Sequence, residues 1–288
     1  MTESHIRVTC LQPELRWLQP MPNMHTLRTV AERIASSGTT DVLVFPEALL
    51  GMPAELDEQG QAATQGRQFL AVLARSARVH VVGGTIEHRD EHGRIYNSCF
   101  VIDPAGQQIT RYDKRRLFSL EADSRTPGGQ CCVFQIGPWR LGILICADLW
   151  FPELARELCG RIDLLCVPIK SSVPGERHIE YARNLWQSLA LTRAFENGYA
   201  VAVADWAEGR HQASSGIQPS RSPVPQTYFT CGATTICDPG HRPDLDRIQT
   251  TIVKGRPGHL AADIGRSDLE KFRKYRTAVG LLPEEARM

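Results

Sequence analysis

Three side chains that could do chemistry each stand just beyond a short apolar run. Glu47 follows residues 41–46 (DVLVFP), Lys114 follows residues 109–112, and Cys146 ends residues 139–146 before a helix-like segment. A cysteine, a carboxylate and an ammonium at one point make a nucleophile, a base and a cationic stabiliser. An ordinary thiol has a pKa of about 8.5, so attack at neutral pH needs a base or nearby positive charge. Attack on a carbonyl carbon creates an oxyanion for a cation and a backbone N–H to hold, and the acyl thioester then yields to water activated by the carboxylate. A cysteine at a strand-to-helix turn is also expected to gain thiolate character from the helix N-terminus.

The elements that must hold these groups alternate along the chain. Residues 6–12, 41–46 and 79–87 read as strands, separated by helical patterns at 24–36 and 69–77. Residues 88–94 (HRDEHGR) form a polar turn, which makes His88 and His92 surface residues. Residues 95–114 then read as two strands joined by the turn Asp103-Pro-Ala-Gly106. Strands follow at 131–136, 139–146, 163–169, 199–204, 233–237, 248–253 and 259–263, with helices at 152–158, 178–197 and 269–275. Strands buried on both faces and alternating with helices give an α/β class with sheets covered by helices. In α/β sheets, ligand sites gather beyond the carboxyl ends of strands, where Glu47, Lys114 and Cys146 all stand. With no linker, repeat or charge block, residues 1–288 are expected to be one domain, with a core at about 5–276 and a short tail at 277–288. Residues 207–226, rich in Ser, Pro and Gly, read as a mobile loop over the site.

Composition excludes several classes. At 42% hydrophobic and 23% charged residues the chain is ordinary globular material rather than disordered. Thirty-three Lys and Arg against 32 Asp and Glu give a net charge of +1, without the basic excess of a nucleic-acid binder. No apolar run reaches the roughly 18 residues of a membrane span, and the first fifteen residues carry no apolar core of signal-peptide length. A cytoplasmic location follows. Nine cysteines is an odd count, and without a single C-x-x-C pair they argue against a structural zinc site. No G-x-G-x-x-G after a strand, phosphate-binding loop or G-x-S-x-G elbow occurs, so neither a nucleotide cofactor nor a serine nucleophile is expected.

Taken together, these segments resemble the nitrilase superfamily of carbon–nitrogen hydrolases, whose catalytic set is Glu, Lys and Cys. Val44-Phe-Pro-Glu47, Tyr112-Asp-Lys-Arg-Arg-Leu-Phe118 and Cys146-Ala-Asp-Leu-Trp-Phe-Pro-Glu-Leu-Ala-Arg156 carry the resemblance. Tyr96-Asn97, Asp103-Pro-Ala-Gly106, Pro127-Gly128, Val167-Pro168 and Arg193-Ala-Phe-Glu-Asn197 add landmarks in the right order. The resemblance implies an α-β-β-α sandwich that forms a homodimer or higher homo-oligomer. It assigns Glu47 as general base, Lys114 as stabiliser of the tetrahedral intermediate, Cys146 as nucleophile and Glu121 as a second glutamate positioning substrate or Lys114. Asp148 and Glu153 are expected to support the turn and helix start near Cys146.

Two departures bear on the substrate. Ala147 stands where the family often has an aromatic residue, and Trp150 where an arginine is common; both are candidate substrate-binding positions. Cys-Ala-Asp rather than Cys-Trp-Glu favours an amidase over a true nitrilase, so the expected reaction is hydrolysis of a small amide or N-carbamoyl compound, without metal or cofactor, releasing ammonia. The competing expectations are a nitrilase, a glutaminase-like subunit passing ammonia to a partner protein, and a silent protein that keeps the fold. With Ala147 replacing the aromatic and Trp150 the arginine, the cavity near the thiol is expected to be roomier and less cationic, favouring a neutral or positively charged substrate over a dicarboxylate mono-amide.

Overall fold

In strands β1 (His5–Gln12), β2 (Val42–Val44), β3 (His80–Val82) and β5 (Ile95–Ile102), apolar side chains leave both faces. Val8, Val44, Val82 and Val101 join one core, while their neighbours Leu43, Val81 and Phe100 join a second. That period of two is what a sheet covered on both sides requires. The computed structural model describes residues 4–36, 40–54, 56–119, 121–213, 226–240, 249–252 and 255–283.

The first sheet has the order β16-β1-β2-β3-β5-β4, with β6 paired to β5; here β4 is Ile86–Arg89, β6 is Gln108–Asp113 and β16 is Gly258–Gly265. Its outer face carries helices α1 (Pro20–Ser36) and α2 (Gln61–Ala77), through Leu27, Ala31, Phe69 and Leu70. The second sheet has the order β15-β14-β11-β9-β8-β7. Its strands are β7 (Cys132–Ile136), β8 (Trp139–Ile143), β9 (Leu164–Pro168), β11 (Ala200–Ala204), β14 (Thr235–Cys237) and β15 (Gln249–Thr251). Helices α4 (Pro152–Arg156), α5 (Ile179–Asn197) and α6 (Arg266–Ala278) join its core through Leu154, Trp186, Ala190 and Leu269. The layers are therefore α-β-β-α, the sandwich expected from the sequence. Both sheets are mixed: β1-β2-β3 and β8-β9-β11 run parallel, and their outer neighbours antiparallel.

Several boundaries differ from the sequence reading. The strand expected at 79–87 is broken into β3 and β4 at Gly83-Gly84. Gly84 has φ +59°, and a Cβ there would lie 2.1 Å from the Pro46 carbonyl oxygen, so only glycine lets this turn close against the segment carrying Glu47. Because β4 runs on to Arg89, His88 is buried against Tyr96 and Phe100 rather than solvated in a turn. Within residues 207–226, Gly209–Ala213 forms β12 and pairs with β13 (Gln226–Thr230), which in turn pairs with β10 (Ser172–Val173). The rest of that expected loop, 214–225, lies outside the described residues, as do residues 248 and 253 of an expected strand and 284–288 of the expected tail. The last helix begins three residues earlier than expected and runs through Ala278, because Phe272 and Arg273 are buried. Among the described residues, no helix is long and apolar enough to cross a membrane.

Candidate active site

Glu47 lies two residues beyond Phe45, whose N–H bonds the Val82 carbonyl at 3.0 Å and so extends the β2 ladder. Its own N–H bonds the Ile169 carbonyl of the second sheet at 3.1 Å, and its carbonyl accepts the Trp206 indole N–H at 2.7 Å. The residue thus spans the seam between the two sheets. Lys114 follows β6 directly, its backbone N–H bonded to the Asn97 carbonyl at 3.0 Å. Glu121 opens the four-residue helix α3 (Glu121–Ser124), and Phe118 N–H caps its carboxylate at 2.9 Å.

These side chains converge. Lys114 Nζ lies 2.7 Å from Glu47 Oε1 and 2.8 Å from Glu121 Oε2, with all three residues buried. Asn97 Nδ2 donates to both carboxylates at 3.0 Å, which leaves its own buried Oδ1 with no partner among the described residues. Lys170 N–H donates to Glu47 Oε2 at 3.2 Å. Burial alone would lower the lysine's pKa, but Glu47, Cys146 and Glu121 around it raise it well above its ordinary value. Burial opposes the charged form of Glu121, and the bonded Lys114 outweighs it, so that pKa is lowered. Lys114 is therefore a fixed cation between carboxylates.

Cys146 sits two residues beyond Leu144 and opens one 3-10 turn, Cys146–Trp150, instead of an α-helix. Its φ is +45°, a strained left-handed conformation for a residue with a Cβ, of a kind that concentrates at reactive sites. Asp148 holds this turn. Its Oδ2 accepts Ile145 N–H at 3.0 Å and the Tyr112 hydroxyl at 2.8 Å, while Oδ1 accepts Arg116 N–H at 2.7 Å and Arg115 N–H at 3.2 Å. Arg193 Nε donates to the Leu149 carbonyl at 3.1 Å from α5. Glu153 instead makes an exposed ion pair with Arg116 at 3.1 Å and does not touch the turn.

The thiol's electrostatics differ from the sequence expectation. Burial first, then the charge of Glu47 and a hydrogen bond to it, push the Cys146 pKa well up; only Lys114 works the other way. With its pKa raised, the resting thiol is neutral, so proton transfer has to accompany attack.

Glu47, Lys114, Glu121 and Cys146 all line one cavity of about 430 Å³. Ala147, buried, and Trp150, 45% exposed, line it too. The Trp150 ring meets Trp186 edge-on at 5.5 Å. The cavity is not poor in cations, however, because Lys170 and Arg125 also line it. Sequence reading named neither, nor Asn97 except as a landmark. A lysine after a strand carries no pattern of its own, and Asn97 lies inside a strand, where only the three-dimensional neighbours reveal its role. Among the described residues, no group of three His, Cys, Asp or Glu is arranged to hold a metal ion.

With this geometry in hand, comparison with known proteins is decisive for the family. Residues 7–244 match the carbon–nitrogen hydrolase family. The chain belongs to that family. This carbon–nitrogen hydrolase, an enzyme class acting on C–N bonds other than peptide bonds, is 28% identical over 207 residues to 2-oxoglutaramate amidase of Bacillus subtilis (strain 168), covering 69% of this chain and 75% of that one. It is 31% identical over 209 residues to the hydrolase in the pqqF 5′ region of Pseudomonas protegens, covering 70% of each. An amidase structure from Nesterenkonia sp. superposes with a TM-score of 0.72 at 22% identity, covering 98% of each chain, a likeness of fold.

Proposed function

We propose that this carbon–nitrogen hydrolase cleaves a small amide through a thioester on Cys146, with Glu47 as general base, Lys114 as oxyanion stabiliser and Glu121 as the residue that positions Lys114. The observation that carries the reading is the buried Cys146 thiol sharing one cavity with Glu47, whose Oε1 accepts the Lys114 ammonium at 2.7 Å. The amidase relative from Bacillus subtilis supports the choice of an amide.

The steps balance as follows. The Cys146 proton passes to Glu47 as Sγ bonds to the carbonyl carbon, and the oxyanion is held by Lys114 and the Ala147 N–H. The C–N bond breaks, the nitrogen takes the proton from Glu47, and ammonia departs. Water then gives a proton to Glu47 and attacks the thioester; the C–S bond breaks, the acid leaves, and the proton returns to sulfur. Amide and water become acid and ammonia, with no cofactor.

Nine free cysteines support a reducing, cytoplasmic setting, and exposed Phe118, Phe151 and Tyr181 support a homo-oligomer. Acid-quenching the enzyme during turnover of an amide and mapping the added mass tests the chemistry. An acyl group on Cys146, and release of ammonia from the amide faster than from its matching nitrile, are expected. Turnover by Cys146→Ala at the wild-type rate overturns the reading.

A further inference from the structure

The cavity is lined by three cations, and two of them are occupied. Lys114 is bonded to Glu47 and Glu121, and Arg125 Nη2 lies 2.5 Å from Glu87 Oε2. Lys170 has no carboxylate within ion-pair distance among the described residues. Its Nζ instead lies 4.1 Å from the centre of the Trp17 ring, 4.8 Å from that of Tyr228 and 5.2 Å from that of Trp206. Ring faces attract an ammonium, but they accept none of its three N–H donors in the manner of a carboxylate and supply no counter-charge.

Two of those rings carry a further deficit. Trp17 Nε1 and the Tyr228 hydroxyl are buried and have no hydrogen-bond partner among the described residues. Buried donors left without an acceptor are costly, so their concentration around one unpaired cation marks a place built to receive an acceptor. Trp17, like Lys170, lines the cavity that Cys146 opens into.

We propose that Lys170, backed by the Tyr228 ring, forms with the Trp17 indole N–H a carboxylate-binding end of the cavity, so that the substrate is an amide bearing a carboxylate away from the scissile bond. The proposal rests on the hydrolase reading above and names its substrate class. It reverses the expectation of a neutral or cationic substrate, which weighed only Ala147 and Trp150. Lys170 lines the same cavity as Cys146, and its backbone N–H is bonded to Glu47. Lys170 has the electrostatics of a cation waiting for a partner: burial pushes its pKa down to about 8, against the opposing pull of Glu47, Glu87, Cys146 and Glu121.

The test compares succinamate, glutaramate and adipamate, each against the neutral amide of the same chain length, in wild type and in Lys170→Met. Wild type is expected to favour at least one carboxylate member by roughly 10-fold or more in kcat/KM, the scale of a charged hydrogen bond. In Lys170→Met that ratio should collapse towards one, through KM. Trp17→Phe keeps a ring and removes the N–H, and should lose part of the ratio; it guards against a Met variant that fails to fold. A wild type that prefers the neutral amides, or a ratio unchanged by both variants, overturns the proposal while leaving the hydrolase reading intact. If no amide is turned over, the hydrolase reading fails instead, and calorimetry still decides this proposal: glutaramate should bind Cys146→Ala more tightly than it binds the Cys146→Ala, Lys170→Met double variant, and equal affinity sinks it.

Discussion

The hydroxyl of Tyr112 donates to Asp148 across 2.8 Å, and both groups are buried. Tyr112 lies two residues before Lys114 on β6, and Asp148 two residues after Cys146. One hydrogen bond therefore ties the strand that presents the ammonium to the turn that presents the thiol. Tyr112→Phe removes that tie without changing the ring. Asp148 keeps three backbone donors, so the stability loss should be small, about 1 kcal/mol by urea unfolding. The kcat loss should be larger than that implies, about 10-fold, because the two reactive groups lose their common reference. A variant with wild-type kcat would show that the turn holds Cys146 in place unaided.

The reacting groups make a sharper prediction. Cys146→Ala should abolish turnover and leave the fold intact. Glu47→Gln and Lys114→Ala should each lose at least roughly 10²-fold in kcat, the scale of a lost general base or oxyanion donor. Steady-state kinetics with circular dichroism on the same samples checks this, and an effect confined to KM would reassign either residue to substrate binding.

How far the sequence reached depended on whether a feature is local. Strands of the first sheet were legible because Val42, Leu43 and Val44 or Cys99, Phe100 and Val101 are apolar without interruption, the pattern of a strand covered on both faces, whereas the pairing of two sheets came from the family resemblance. Glu47, Lys114 and Cys146 were legible as candidates because each stands beyond such a run. The break at Gly84 was not, since it is set by the Pro46 carbonyl, 38 positions away in the chain. Nor was the neutral state of the Cys146 thiol, which depends on burial and on Glu47 rather than on the turn that follows. Lys170 was missed for the same reason: its three rings come from positions 17, 206 and 228, which nothing in the sequence links.

Asn97 offers a test of positioning apart from chemistry. Its Nδ2 holds Glu47 and Glu121 at 3.0 Å each while touching neither Cys146 nor Lys114 by a side-chain bond. Asn97→Asp replaces that shared donor by a third carboxylate. Like charges this close favour a bound proton, so the activity of the variant should fall most at low pH and recover partly as pH rises through the neutral range. Asn97→Leu, which removes the donor without adding charge, should lower kcat with no such shift in the pH profile. Matching profiles for the two variants would limit Asn97 to packing.

The last prediction concerns pH and Lys170. Its pKa is pushed down to about 8 by burial, so below that value the side chain is an ammonium and above it a neutral amine. His211 and Tyr228, which face it, do not titrate in the same window. His211, stacked on Tyr228, is pushed down to about 4 by burial and by Lys170 itself, and burial raises the Tyr228 phenol far above its ordinary value. Lys114 has its pKa raised and stays charged. With a carboxylate-bearing amide, KM should be flat below about pH 8 and then climb, approaching tenfold per pH unit as the ammonium is lost. The neutral amide of the same length should show no such climb, because its binding does not require that charge. Lys170→Arg keeps a cation at every working pH, so the climb should vanish in that variant whatever its absolute KM. A KM profile that rises equally for both amides, or that persists in Lys170→Arg, would trace the titration to the catalytic groups and remove Lys170 from carboxylate binding.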